Sequence, residues 1–368
     1  MGRKRHIVLS VTNDLESDQR LHKVCSTLID YNYSVLLIGR KLSQSKNIQR
    51  NYPSKRFKLW FSKGPLFYLN YNCRLFFFLL FHKYDLAIAN DLDTLPANYL
   101  AAKLKGKPLL YDSHELFTEV PELLNRPFVK KIWEKLEALM LPKILYSYTV
   151  SSKVADFYER KYGIKMRLVR NFPILKTKQL VSEKQDAIIY QGALNVDRGL
   201  EELIESMVEL PEFELWIAGS GDIEDELKNK VKQLKLEEQV KFLGRLSFEE
   251  LAKTTAKAKI GVSLEKKEAL NYQYALPNKV FDYIHAGIPV LFSDLEEVKQ
   301  VVERYEIGEV LISHDPKDIA LQLKRVIVSE RYATWVKNCR IAALELNWQN
   351  EKENLILLVK TALNEEKQ

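Results

Sequence analysis

The sequence predicts an α/β protein built from two doubly wound domains, each around a parallel sheet. Short apolar strands alternate with segments of helical periodicity throughout, and the alternation restarts after a polar stretch containing Pro173. At 368 residues the chain is also too long for one ordinary core. Strand and helix alternation implies right-handed crossovers and hence parallel sheets.

In the first half the apolar pattern predicts strands at His6–Thr12, Ser34–Gly39, Leu86–Asn90, Leu109–Asp112 and Tyr148–Ser151. Helical spacing fills the gaps at Asp18–Asp30, Leu95–Lys105, Phe128–Leu141 and Lys153–Tyr162. Asn171–Lys184 reads as a linker. Beyond it come strands at Ala187–Gln191, Glu214–Ala218, Val240–Leu243, Ile260–Leu264, Pro289–Phe292 and Val310–Ile312. Glu351–Leu363 is an amphipathic helix. The expected division is 1–175, 176–345, and a terminal segment 346–368 that packs back on the first domain.

The stretch PNKVFDYIHAGIP, residues 277–289, is the most informative. Asn278–Ala286 reads as a helix with Val280, Phe281 and Ile284 on its apolar stripe, ended by Gly287 before a buried strand. Lys279 at such a helix start can meet phosphate charge, and a carboxylate one turn later, Asp282, can accept from ribose hydroxyls. The same two residues also fit a surface i, i+3 ion pair. AGSG at 218–221 follows a strand and precedes a helix. Gly219 and Gly221 there could let backbone amides approach a ligand, or could simply make the turn. No GxGxxG fingerprint, Walker lysine, metal-spaced histidine pair or GxSxG elbow occurs, which argues against several large enzyme classes.

Hydrophobic content of 46% and charged content of 29% suit a globular protein. The opening MGRKRHIVLSVT passes from a basic cluster straight into a strand, so no secretory leader is expected. Cys25, Cys73 and Cys339 are widely spaced and odd in number, pointing to a reducing compartment without a disulfide framework or zinc site. Charge is uneven: residues 1–175 hold 29 Lys and Arg against 15 Asp and Glu, a net of +14, and residues 176–368 hold 27 against 34, a net of −7. The basic half is expected to meet something anionic. Around Trp60–Phe81, Lys55, Arg56, Lys58, Lys63 and Lys83 flank an apolar and aromatic segment. That combination suits peripheral docking on an anionic membrane, with RLFFFLLF either partly inserted or buried as a core helix.

These blocks together resemble family 4 of the retaining glycosyltransferases. They are VTNDLESDQRLHKVCSTL, ANDLDTLPANYLAAKL, LLYDSHELFTE, YQGALNVDRGLEELIESM, LWIAGSG and PNKVFDYIHAGIPVL, in the family's order and spacing. The resemblance implies the GT-B fold, two Rossmann-like domains around a cleft, and transfer of a sugar from a UDP- or GDP-sugar to a glycan or lipid-linked acceptor. It places Arg198 and Lys279 at the donor diphosphate, His114 beside the transferred sugar, and Asp282 at the ribose, with Gly192 and Asn278 also lining the donor site. Asp18, Arg20, Asp91, Asp93 and Glu115 fall in segments that line the cleft and face the acceptor. Asp18, Asp91, Asp93 and Glu115 are equally good helix caps, and His114 could cap a strand end. Tyr274 stands where many members have a glutamate, and Ala193 where many have an arginine.

The implied mechanism uses no enzyme nucleophile, metal or cofactor, because Arg198 and Lys279 would stabilise the leaving diphosphate. A cytoplasmic enzyme that visits the inner membrane face is expected. Rival readings are a nucleotide-sugar-binding protein that has lost transfer, favoured by Tyr274 and Ala193, and a phosphorylase or epimerase of the same fold. Nucleic-acid binding is not expected, since no such motif is present.

Overall fold

A computed structural model describes residues 3–365 apart from 17, 44, 121, 122, 124, 125, 177–182 and 269. Part of the expected linker therefore lies outside the described residues. The chain forms two compact units, Met1–Asn171 with Glu351–Gln368, and Phe172–Asn350.

The first unit contains β1 (His6–Asp14), β2 (Ser34–Lys41), β3 (Ser54–Lys58), β4 (Leu86–Asn90), β5 (Leu109–Ser113), β6 (Tyr146–Thr149) and β7 (Arg167–Leu168). They run parallel in the order β3-β2-β1-β4-β5-β6-β7. Every residue of β4 and β5 is buried, as in a sheet covered by helices on both faces. The expected strand Tyr148–Ser151 is shifted two residues earlier, because Ser151 caps the following helix by accepting from the Val154 amide at 3.1 Å.

The second unit contains β8 (Ala187–Gln191), β9 (Glu214–Ala218), β10 (Val240–Gly244), β11 (Ile260–Ser263), β12 (Val290–Phe292) and β13 (Gly308–Val310). Their order is β10-β9-β8-β11-β12-β13, again all parallel. Alternation along β8 builds a core on each face: Ile188 and Tyr190 join one cluster, Ala187 and Ile189 the other. The last strand ends before the expected Ile312, whose side chain is exposed and whose amide donates to Gln322 Oε1.

The short strand β7 escaped the pattern, and so did two larger elements. One is the edge strand β3, and the other is an 18-residue helix, Gly64–Phe81, which is apolar on every side and so carries no amphipathic period. Leu75 and Leu79 are buried while Phe77 and Phe81 are exposed, so RLFFFLLF belongs wholly to neither of the two expected fates.

In each sheet the strand order reverses direction once, beside β1 and β4 in the first unit and beside β8 and β11 in the second. Loops leaving such a switch point diverge at the carboxyl ends of the strands and leave a crevice where ligands bind in open α/β sheets.

Candidate functional site

In the second unit, the loop after β8 and the residue after β11 meet at this switch point. Asp197 takes φ +63° and Gly199 φ +68°, turning the chain so that Arg198 faces the end of β11. A Cβ on Gly199 would lie 2.3 Å from the Leu264 carbonyl oxygen, so only glycine permits this approach. The Lys266 amide donates to the Asp197 carbonyl at 2.9 Å and ties the two loops together.

Glu265, the second residue past β11, is fully buried and gathers two cations and a hydroxyl around its carboxylate. Its Oε1 accepts from Lys279 Nζ at 2.7 Å and from Arg198 Nη1 at 3.1 Å, while Oε2 accepts from Ser263 Oγ at 2.6 Å. Lys279 Nζ also stands 4.1 Å from the centre of the Tyr190 ring, and the Arg198 guanidinium 4.4 Å from that of Tyr272. Burial opposes ionisation of Glu265, but the Lys279 and Arg198 charges and its hydrogen bonds outweigh it and hold the carboxyl at about 2. Two cations share this one anion. Burial lowers the Lys279 ammonium to about 8, the attraction of Glu265 being partly offset by the Arg198 charge beside it.

Lys279 is thus a buried member of a three-residue cluster and does not sit on the surface as in a solvated i, i+3 pair. Gly192 stands over it: a Cβ there would lie 3.4 Å from Lys279 Cε and 3.6 Å from Nζ. Asp282, one turn on, is half-buried and accepts from Gln191 Nε2 at 2.7 Å. Gln191 Oε1 accepts in turn from Thr255 Oγ1 at 2.9 Å. Asn278 lies exposed at the start of the helix. Tyr274 is half-buried and Ala193 exposed. Gly219 and Gly221 serve the fold directly. A Cβ on Gly219 would fall 1.8 Å from the Gly192 oxygen and one on Gly221 2.2 Å from the Leu194 oxygen, and the Gly219 amide donates to the Gly244 carbonyl at 2.8 Å.

A second cluster occupies the switch point of the first unit. Arg20, near the start of the helix Gln19–Asp30, pairs through Nη2 with the buried Asp112, whose other oxygen accepts from Tyr148 at 2.7 Å. Arg20 Nη1 lies 2.7 Å and Asp91 Oδ1 3.0 Å from His114 Nδ1. That nitrogen can donate to Asp91 or accept from Arg20, not both. Burial and the Arg20 charge depress the imidazole, but Asp91, by charge and hydrogen bond, and Asp112 outweigh them and raise it to about 9, which favours the Asp91 contact over the Arg20 one. Asp93 is buried beside it and accepts from Thr12 Oγ1. Burial, with the nearby Asp91 and Glu115 charges, raises its carboxyl to about 7 against the effect of the Thr12 bond. Asp18 caps its helix, accepting from the Leu21 amide at 3.0 Å. Glu115 is half-buried next to His114.

The structure therefore brings Arg198, Lys279 and Gly192 together in one unit, and Arg20, Asp91 and His114 in the other. Glu265, Thr12 and Gln191 were not singled out from the sequence. Glu265 carried one signal, an acidic residue directly after the mostly apolar run Ile260–Leu264.

The sheet orders and these two clusters define a protein with the GT-B fold. Residues 171–342 match the family described as glycosyl transferases group 1. The chain is similar to an uncharacterised glycosyltransferase of Methanocaldococcus jannaschii, 26% identical over 188 residues, 50% of this chain and 47% of that protein. It is also similar to the chitobiosyldiphosphodolichol beta-mannosyltransferase of Candida albicans, 23% identical over 254 residues, 60% of this chain and 53% of that protein. The chain spans about half the length of these curated relatives. Among solved structures it is similar to Anabaena HepE in complex with UDP and glucose, with a TM-score of 0.76 and 15% identity, covering 97% of this chain and 100% of that one.

Proposed function

We propose that the protein is a retaining glycosyltransferase that moves a sugar from a UDP- or GDP-sugar to a glycan or lipid-linked acceptor. The observation that carries this reading is the convergence of Arg198 and Lys279 on Glu265 at a strand-order reversal, beneath Gly192. A buried and a half-buried cation with one counter-anion leave a surplus positive charge, which is what a departing diphosphate requires. In the reaction the bond between the sugar anomeric carbon and the diphosphate oxygen breaks as the acceptor oxygen bonds to that carbon. The acceptor proton passes to the leaving diphosphate, so no side chain is needed as nucleophile. Asp282 binds the ribose, with Gln191 fixing its carboxylate. His114, as an imidazolium held by Asp91, donates to a sugar hydroxyl. Asp93 and Glu115 orient the acceptor.

The UDP and glucose held by HepE make UDP-sugars the first donors to test, and the dolichol-linked substrate in the Candida relative's name supports a lipid-linked acceptor. The test is ligand-detected NMR with a panel of UDP- and GDP-sugars on the parent, Arg198→Ala and Lys279→Ala. Selective binding with slow turnover is expected. Each substitution is expected to lower the rate by about 10² to 10³, the effect of removing one electrostatic donor. Retention is read from the anomeric signal of the product. Selective binding without turnover, even with acceptors supplied, would assign a binding protein; no binding by folded protein would reject the donor site itself.

A further inference from the structure

The helix Gly64–Phe81 presents two apolar faces. Phe67, Tyr71, Leu75 and Leu79 point into the first unit's core. On the opposite side Leu66, Leu69, Cys73, Phe77 and Phe81 recur at helical spacing, and all five are exposed. Phe81 is 81% exposed, and Trp60, just before the helix, is 80% exposed. The adjoining helix Leu95–Lys105 also carries the exposed Leu100 and Leu104. Single exposed apolar residues need no explanation, but a row of five along one helix does.

Its charge surroundings identify the occupant. Between Asp30 and Asp85 lie 54 residues with ten Lys and Arg and no acidic residue at all. Several of these bases border the row. Lys55 Nζ sits 4.3 Å over the Phe78 ring, the Arg74 guanidinium 5.0 Å over Trp60, Lys63 immediately precedes the helix, and Lys83 follows it. A second copy of the chain would bring the same positive rim against this one, so self-association is opposed. Among the described residues no helix is long and apolar enough to cross a membrane, so this one suits lying along an interface.

We propose that the outer face of Gly64–Phe81, with Trp60 and its ring of lysines, docks on an anionic lipid leaflet. The apolar row enters the headgroup and acyl boundary while the lysines and Arg74 meet lipid phosphates. Docking needs no donor or turnover, so it stands or falls separately from the transferase reading.

The protein provides its own reporter. Of its five tryptophans, Trp60 is exposed, while Trp133, Trp216, Trp335 and Trp348 are buried. The experiment is flotation, with tryptophan emission, on phosphatidylcholine vesicles with and without phosphatidylglycerol. Binding to the anionic vesicles alone is expected, with a blue shift that Trp60→Phe removes. Phe77→Ser with Phe81→Ser, both at exposed positions, should lower partitioning by at least about tenfold. Replacing Lys55, Lys58, Lys63 and Lys83 by glutamine should lower it by about a hundredfold or more, as should raised salt. A fluorophore on the exposed Cys73 should report the same transfer, the other two cysteines being buried. Absence of vesicle binding by folded protein would overturn the proposal. So would binding that neither shifts Trp60 nor responds to the phenylalanine pair, or a self-association that the same pair abolishes.

Discussion

One oxygen of Glu265 accepts from both Lys279 and Arg198, and this arrangement links charge to pH. Burial has lowered the Lys279 ammonium to about 8, so a cation needed for the donor is lost as pH rises through that value in the free protein. For a transferase, kcat/KM should therefore fall above about pH 8, since that ratio reports the free enzyme. Glu265→Gln removes an anion from a cationic centre. The ammonium then loses its charge more easily, and the alkaline limb should move to lower pH, whereas Lys279→Arg should abolish that limb. A profile unchanged in Glu265→Gln would show that Lys279 does not set it. Lys279 and Arg198 were legible in the sequence because each lies in a recognisable block. Glu265 was not, because its partners lie 14 and 67 residues away and only the meeting of two loops at the end of the sheet brings them together. Tyr190 and Tyr272, which carry the cations on their ring faces, were hidden for the same reason.

At the scale of elements, legibility followed periodicity. Strands of a covered parallel sheet are short apolar runs, and the helices between them have one polar side, so most were placed within two or three residues. The helix Gly64–Phe81 was not resolved as such, because a surface apolar on both sides has no phase to read. Loops yielded least. Gly199 looked like any turn glycine, yet it combines φ +68° with a Cβ position 2.3 Å from the Leu264 carbonyl oxygen. Gly199→Ala should cost about 1 to 3 kcal/mol from the backbone conformation alone, with the clash adding to it. It should also displace Arg198. As a comparison, Ser247→Ala removes the capping box of the helix Phe248–Lys257 and should cost about 1 kcal/mol. Urea unfolding measures both. Donor affinity separates them, since the cap variant should bind normally and the glycine variant weakly; equal affinities would mean that the turn does not position Arg198.

For the whole molecule, the decisive element is the helix Trp348–Ala362. It begins in the second unit, where the Trp348 amide donates to the Pro173 carbonyl at 2.9 Å, and from Glu351 onward it belongs to the first. Glu351 Oε1 accepts from the Arg170 amide at 2.8 Å, Tyr31 donates to Glu353, and Leu355, Ile356 and Val359 are buried. Amphipathic spacing revealed the helix but not the surface it covers. Losing one buried aliphatic side chain typically costs about 2 to 5 kcal/mol, and a domain has only about 5 to 15 in reserve. A chain stopped after Asn350 should therefore retain a folded second unit and a largely unfolded first one, as hydrogen exchange resolved by peptide would show. Protection of β1 and β4 at parental levels would count against this.

Because the first unit takes its last layer from beyond residue 350, it is discontinuous along the chain, whereas Phe172–Asn350 is one uninterrupted piece. Domains ordinarily fold in the order in which they leave the ribosome. Here the domain translated first must wait, its apolar seat for Leu355, Ile356 and Val359 uncovered until the chain has grown well past residue 350, while the domain translated second can close before it.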